Sequence, residues 1–140
     1  GHREERPMTY TSTFRVYYED TDMGGIVYHA NYLRYLERGR SDALREMGVD
    51  QAALRAQGLV FVVTHMTIDF RAPARFDEMV TVTSGFEAVK GASAEMHQAI
   101  TVGGRLCIDA RVRVAMAAMD GGVRRFPAHI REALARDPQG

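Results

Sequence analysis

NYLRYLERGRSDALREMG, residues 31–48, is the stretch on which the fold class turns. Tyr32, Leu36, Gly39, Ala43 and Met47 recur at helical spacing, with Leu33 and Leu44 on the flank. Arg34, Glu37, Arg38, Arg40, Asp42, Arg45 and Glu46 occupy much of the rest. Asn31 is the expected N-cap and Gly48 the glycine just past the C-terminus. The pattern predicts one dominant helix of roughly 17 residues. Gly39 in its middle costs about 1 kcal/mol relative to alanine. It marks either a close approach to the helix backbone or a glycine tolerated under a bulky strand residue.

Downstream, Asp50 to Gln57 reads as a short second helix closed by Gly58. The period then changes from helical to alternating. Val60, Val62, Met66, Ile68 and Phe70 form one such run, and Val80, Val82, Phe86 and Ala88 another. Ala92, Ala94, Met96, Ile100 and Val102 follow. Leu106, Ile108, Ala110, Val112, Val114 and Met116 make the clearest strand, with Cys107, Asp109, Arg111 and Arg113 expected on its other face. Lys90-Gly91 and Gly103-Gly104 are hairpin turns, and Asp120-Gly121 precedes a return over Val123 to Phe126. Pro127 opens a short C-terminal helix that ends before Pro138.

Upstream, Phe14, Val16 and Tyr18 alternate as a short strand, and residues 1–12 read as a polar arm beginning with an expression remnant, Gly1-His2. Residues 13–140 are expected to form one domain. The order is strand, long helix, then meandering antiparallel strands. This is an α+β architecture in which a curled sheet of five or more strands wraps one long central helix. A single sheet layer leaves edges unprotected, so self-association is expected.

Composition narrows the function classes. The chain has 140 residues, 46% hydrophobic and 26% charged, ordinary globular values. Eighteen basic residues balance eighteen acidic ones, so no global basic field favours nucleic acid. Cys107 is the single cysteine, which excludes an internal disulfide framework and any multi-cysteine zinc site. No apolar run approaches the roughly 20 residues of a membrane span. Gly1 to Arg6 is charged, without the apolar region of a signal peptide. A cytoplasmic setting is expected. The nucleophile elbow, the phosphate-binding glycine loops and the paired-histidine zinc motif are missing.

The loop from Glu19 to His29 is where chemistry can reside. Glu19, Asp20, Asp22 and His29 flank Gly24-Gly25 at a strand-to-helix junction. A helix start offers free backbone N–H groups and partial positive charge, which stabilise an oxyanion. A carboxylate just upstream can attack a carbonyl carbon or activate water. Paired glycines let the backbone turn tightly and approach a ligand. The same residues also fit an acidic turn whose aspartates cap local N–H groups. A metal site would have hard oxygen ligands and one histidine, but no second histidine at fixed spacing.

The stretch VYYEDTDMGGIVYHANYL, residues 16–33, resembles the signature of hotdog-fold acyl-CoA thioesterases of the 4-hydroxybenzoyl-CoA thioesterase type, with the features of the branch associated with the Tol-Pal cell-envelope system. IDFRAPARFD, residues 68–77, is similar to that family's turn after its second strand. The resemblance spans roughly residues 14–118 and agrees with the order of elements read above. It implies hydrolysis of an acyl-CoA to free acid and CoA, with no cofactor beyond the CoA of the substrate and no metal. It places the catalytic carboxylate on Asp22 and the carbonyl-polarising amide on the backbone N–H of His29, whose side chain is a further candidate for proton transfer. Tyr18, Gly25, Tyr28 and Tyr32 are the implied pocket residues. Arg71, Arg75 and Lys90 are candidates for the CoA phosphates. Glu37 is either an acid near the site or a surface partner of nearby arginines. The implied partners are acyl-CoA, a second copy of the chain in a dimer or tetramer, and an acyl-carrier protein. Two rivals are a non-catalytic acyl-CoA or acyl-carrier binding module and a hotdog dehydratase.

Overall fold

A computed structural model describes residues 9–135. Strand β1 (Tyr10–Arg15) leads through a 3-10 turn (Tyr18–Asp20) and a tight loop into α1 (His29–Glu46). Then come α2 (Gln51–Ala56), β2 (Leu59–Phe70), β3 (Met79–Val89), β4 (Ser93–Val102), β5 (Arg105–Ala118), β6 (Val123–Arg124) and α3 (Ala128–Ala135). The six-stranded sheet runs β1-β3-β4-β5-β2, with β6 paired to β5, and every pairing is antiparallel.

The alternation in β3, β4 and β5 puts Val80, Val82, Met96, Ile100, Ile108, Val112 and Met116 on one buried face. The apolar stripe of α1, built on Tyr32, Tyr35, Leu36, Gly39, Ala43 and Leu44, is buried against it. Gly39 is the point of closest approach. A Cβ added there would stand 2.5 Å from Val82 Cγ1, so the glycine is required by packing. Although α1 is 18 residues long, α2 packs on β2 and α3 on β3. The sheet is therefore covered by three helices rather than wrapped around a single long one.

Four local expectations are corrected. The arm contains strand: β1 begins at Tyr10, because it pairs with β3 from Ser84 to Met79, while residues 1–8 lie outside the described part of the chain. Tyr18 is not in the strand, since the chain turns at Tyr17 and the Asp20 carboxylate accepts the Tyr17 N–H at 2.9 Å. Asn31 is not the N-cap. Tyr28 is, and the Asn31 side chain instead donates to the Asp20 carbonyl at 2.8 Å. Cys107 is buried rather than outward-facing, because the register slips between Ile100↔Ile108 and Thr101↔Leu106 and leaves Cys107 as the extra residue of a bulge. The α3 boundary at Ala128 follows Pro127 as expected, and Pro138 lies outside the described residues.

Candidate active site

The loop between the 3-10 turn and α1 is held from both sides. Within it, the Asp22 N–H donates to the Ile26 carbonyl at 2.9 Å, and the Gly25 N–H donates to the Asp22 carbonyl at 3.0 Å. The Asp22 carboxylate accepts the Gly24 N–H at 2.9 Å, the short-range bond that aspartates form in turns. Gly25 has φ +78°, a left-handed conformation that strains other residues.

The loop is strapped to the segment after β2. The Val27 N–H donates to the Ala74 carbonyl at 2.8 Å and the Phe76 N–H to the Gly25 carbonyl at 2.9 Å. The Ala74 N–H donates to the Tyr32 hydroxyl at 2.9 Å. The Cys107 bulge fixes the other end of this segment, its carbonyl accepting the Arg71 N–H at 2.8 Å and the Ala72 N–H at 3.3 Å. Burial pushes the Cys107 thiol above its ordinary pKa, which keeps it a neutral packing group.

Asp20 ties the loop to the helix. Its carboxylate accepts from the Tyr35 hydroxyl, and its carbonyl accepts from the Tyr28 N–H and the Asn31 amide. Asp20 is one of the aspartates that an acidic turn would use to cap local N–H groups. It caps, and it also orients the first turn of α1.

These straps enclose a groove of about 280 Å³ lined by Asp22, Ile26, Val27, His29, Tyr32, Phe70, Arg71, Ala72 and Pro73. His29 is the first helical residue, so its backbone N–H has no acceptor within the helix. Its ring meets the Phe70 ring edge-on, with centroids 5.1 Å apart. A carboxylate and the positive end of a helix thus share one largely apolar groove, an arrangement that can polarise a carbonyl and deliver a nucleophile or base to it.

Of the residues singled out from sequence, Asp22, His29, Tyr32 and Arg71 line this groove. Tyr32 is 3% exposed, with its hydroxyl committed to Ala74, and burial raises its pKa. Arg71 stands at the rim, 3.6 Å from Asp69. Tyr18, Gly25 and Tyr28 belong to the same loop and its flanks. Tyr18 is 78% exposed and meets Phe76 edge-on at 6.0 Å. Lys90 is elsewhere, in the turn at the far end of β3, roughly 30 Å of strand from Met79. Glu37 forms no ion pair among the described residues and lines a different cavity. Phe70 and Pro73 were not singled out as pocket residues, though the motif at residues 68–77 contains both.

Among the described residues no three His, Cys, Asp or Glu side chains cluster as metal ligands would, and no helix is long and apolar enough to cross a membrane.

Known proteins are similar to this chain in sequence and in structure. Acyl-CoA thioester hydrolase YbgC of Escherichia coli O6:H1 is 45% identical over 86 residues, 61% of this chain and 64% of that protein. The match thus spans a little under two thirds of that relative's length. Acyl-CoA thioesterase YbgC of Haemophilus influenzae is 38% identical over 124 residues, 86% of this chain and 90% of its own. The crystal structure of a probable thioesterase from Bartonella henselae superposes with a TM-score of 0.81 at 39% identity, covering 86% of this chain and all of that one. The family model described as the thioesterase-like superfamily matches residues 16–134, so it takes in the Asp22 loop, α1 and every strand from β2 onward. On these grounds the chain belongs to the thioesterase-like superfamily.

Proposed function

We propose that the protein is an acyl-CoA thioesterase of the 4-hydroxybenzoyl-CoA thioesterase type, in the Tol-Pal-associated branch, and that it works in the cytoplasm. The observation that carries this reading is the shared groove, with the Asp22 carboxylate and the amide end of α1 on its lining. The thioester carbonyl oxygen accepts from the His29 N–H, which stabilises the charge that develops on it. Asp22 then acts by one of two routes. As a base it takes a proton from water while that water attacks the carbonyl carbon. As a nucleophile it forms an anhydride that water then opens. On either route the C–S bond breaks, CoA leaves as the thiol after gaining a proton, and one water is consumed. The reaction needs no cofactor besides the CoA of the substrate.

The acting unit is a pair of chains. The outer edge of β2 is unpaired among the described residues, and Val62 and Val63 on that strand are 37% and 43% exposed. An open, apolar edge strand favours pairing with a second copy. Antiparallel pairing of two β2 edges about a two-fold axis near mid-strand sets the Phe70 end of one chain beside the Phe61–Val63 end of the other. The groove of one protomer is then completed by the partner, and an acyl-carrier protein is a second donor of the acyl group.

A CoA-release assay over short, long and aromatic acyl-CoAs, with an acylated carrier protein alongside, tests the reading. Turnover of at least one thioester is expected. Binding of acyl-CoA without turnover would make the protein a binding module instead.

A further inference from the structure

A second cavity, of about 230 Å³, opens further along α1. Seven apolar residues help to line it: Leu44 from the helix, Phe61, Val62 and Val63 from β2, and Phe86, Met96 and Val114 from the sheet floor. The Arg40 guanidinium also lines it, beside Glu37, Ser41 and Gln51.

Arg40 is held by a buried polar chain. Its Nη1 donates to Gln98 Oε1 at 3.1 Å. Gln98 is fully buried and fixed in turn, its Nε2 donating to the Leu36 carbonyl at 3.0 Å and to Ser84 Oγ at 2.8 Å. Gln98 and Ser84 are the buried polar side chains among the described core residues. Their one outlet to the cavity is this arginine. A guanidinium has five N–H donors and no acceptor. No carboxylate among the described residues forms an ion pair with Arg40, although charged partners serve Arg15, Arg45, Arg71, Arg105, Arg111, Arg113 and Arg124. Half-buried and without such a partner, the group carries an unmet demand for acceptors. Burial opposes its charge, and Glu37 supports it.

We infer that this cavity receives the far end of the acyl group, and that Arg40 is a specificity-determining residue selecting acyl groups with a hydrogen-bond-accepting oxygen there. The inference rests on the paired-chain reading above. Within one chain, His29 and Arg40 are eleven positions apart on α1, roughly 16 Å along its axis, so the cavity belongs to the partner's groove. A methyl-ended chain would fill the apolar walls but leave the guanidinium desolvated without an acceptor. An oxo, hydroxyl or carboxylate oxygen would supply one. Sites built around a buried donor reject analogues that lack the acceptor more strongly than apolar pockets reject a change in size.

The test compares kcat/KM for length-matched pairs: butyryl-CoA against acetoacetyl-CoA, 3-hydroxybutyryl-CoA and succinyl-CoA. The wild type should favour at least one oxygen-bearing member by about tenfold or more, and the three arms report which oxygen is read. Arg40→Met should bring that ratio close to one. Because that variant removes the Arg40 donor from Gln98 Oε1, Arg40→Lys is measured beside it. Lysine keeps a donor but not the planar fork, and an intermediate ratio is expected. Thermal unfolding confirms that each variant is folded. Wild-type turnover without discrimination, or discrimination unchanged in a folded Arg40 variant, overturns the inference and leaves the thioesterase reading standing. Failure of the wild type to turn over any thioester overturns the thioesterase reading, and the inference with it.

Discussion

The hydroxyl of Tyr35, on α1, donates to Oδ2 of Asp20 at 2.9 Å, and that same oxygen accepts the Tyr17 N–H. One carboxylate oxygen thereby joins the strand exit, the acidic turn and the second turn of the helix. Asp22, on the groove lining, lies two residues beyond this join.

Tyr35→Phe should cost about 1 to 2 kcal/mol at neutral pH, since it removes a hydrogen bond to a charged acceptor. Burial and then the Asp20 carboxylate raise the Tyr35 pKa well above its ordinary value near 10. The neutral phenol is therefore favoured in the folded state. Its contribution is full below about pH 10 and is lost as pH rises beyond that value, where the unfolded chain has shed the proton and the folded one has not. Thermal unfolding from pH 7 to 11 should show a steeper alkaline decline for the wild type than for Tyr35→Phe.

Asp22→Asn keeps an oxygen for the Gly24 N–H but provides neither a base nor a nucleophile. We expect kcat to fall at least about 100-fold with the melting temperature little changed. Asp20→Asn should show the opposite split: a lower melting temperature and a smaller loss of kcat. Steady-state kinetics and unfolding on the two proteins separate a reacting carboxylate from an organising one.

Gly39→Ala should destabilise despite the gain in helix propensity of about 1 kcal/mol. The new methyl meets Val82 Cγ1 at 2.5 Å, and overpacking of a tight core costs typically about 1–3 kcal/mol. Val82→Ala removes the clashing atom, so the double variant should be less destabilised than the sum of the two single ones in a denaturant cycle.

Arg71→Ala should raise KM for acyl-CoA more than it lowers kcat, because a rim cation contributes mainly uniform binding. Lys90→Ala should do the same only through the partner's groove. Both effects should shrink as salt rises. An unchanged KM at low ionic strength makes the residue a bystander.

Light scattering at micromolar concentration should give at least twice the mass of one chain. A lysine in place of Val63 should disfavour pairing of the β2 edge and abolish turnover. A monomeric wild type would remove the composite groove.

The long helix, found at His29–Glu46, and strands β3, β4 and β5 are legible because each repeats with a period that gives it a buried face. The loop is legible as a motif, but its wiring is not. Nothing in the order Glu19-Asp20-Thr21-Asp22 says which aspartate faces the groove and which binds Tyr35. That follows from the turn at Tyr17, which is stabilised by a bond from Asp20 to the backbone. Cys107 departs from the alternation for a similar reason, since a bulge inverts the faces of a strand without disturbing its composition.

The sequence by itself determined the class of elements, their order, the position of Asp22 before its glycines, and a glycine at the centre of α1. These depend on local propensity and periodicity, which act over a few neighbouring residues. Only the tertiary structure decided that Val82 is what Gly39 makes room for, that Ala74 anchors Tyr32, and that Gln98 holds Arg40 at a cavity far along the helix from His29. Those relationships join residues 42 to 58 positions apart, and only the register of the sheet and the packing of α1 on it bring them into contact.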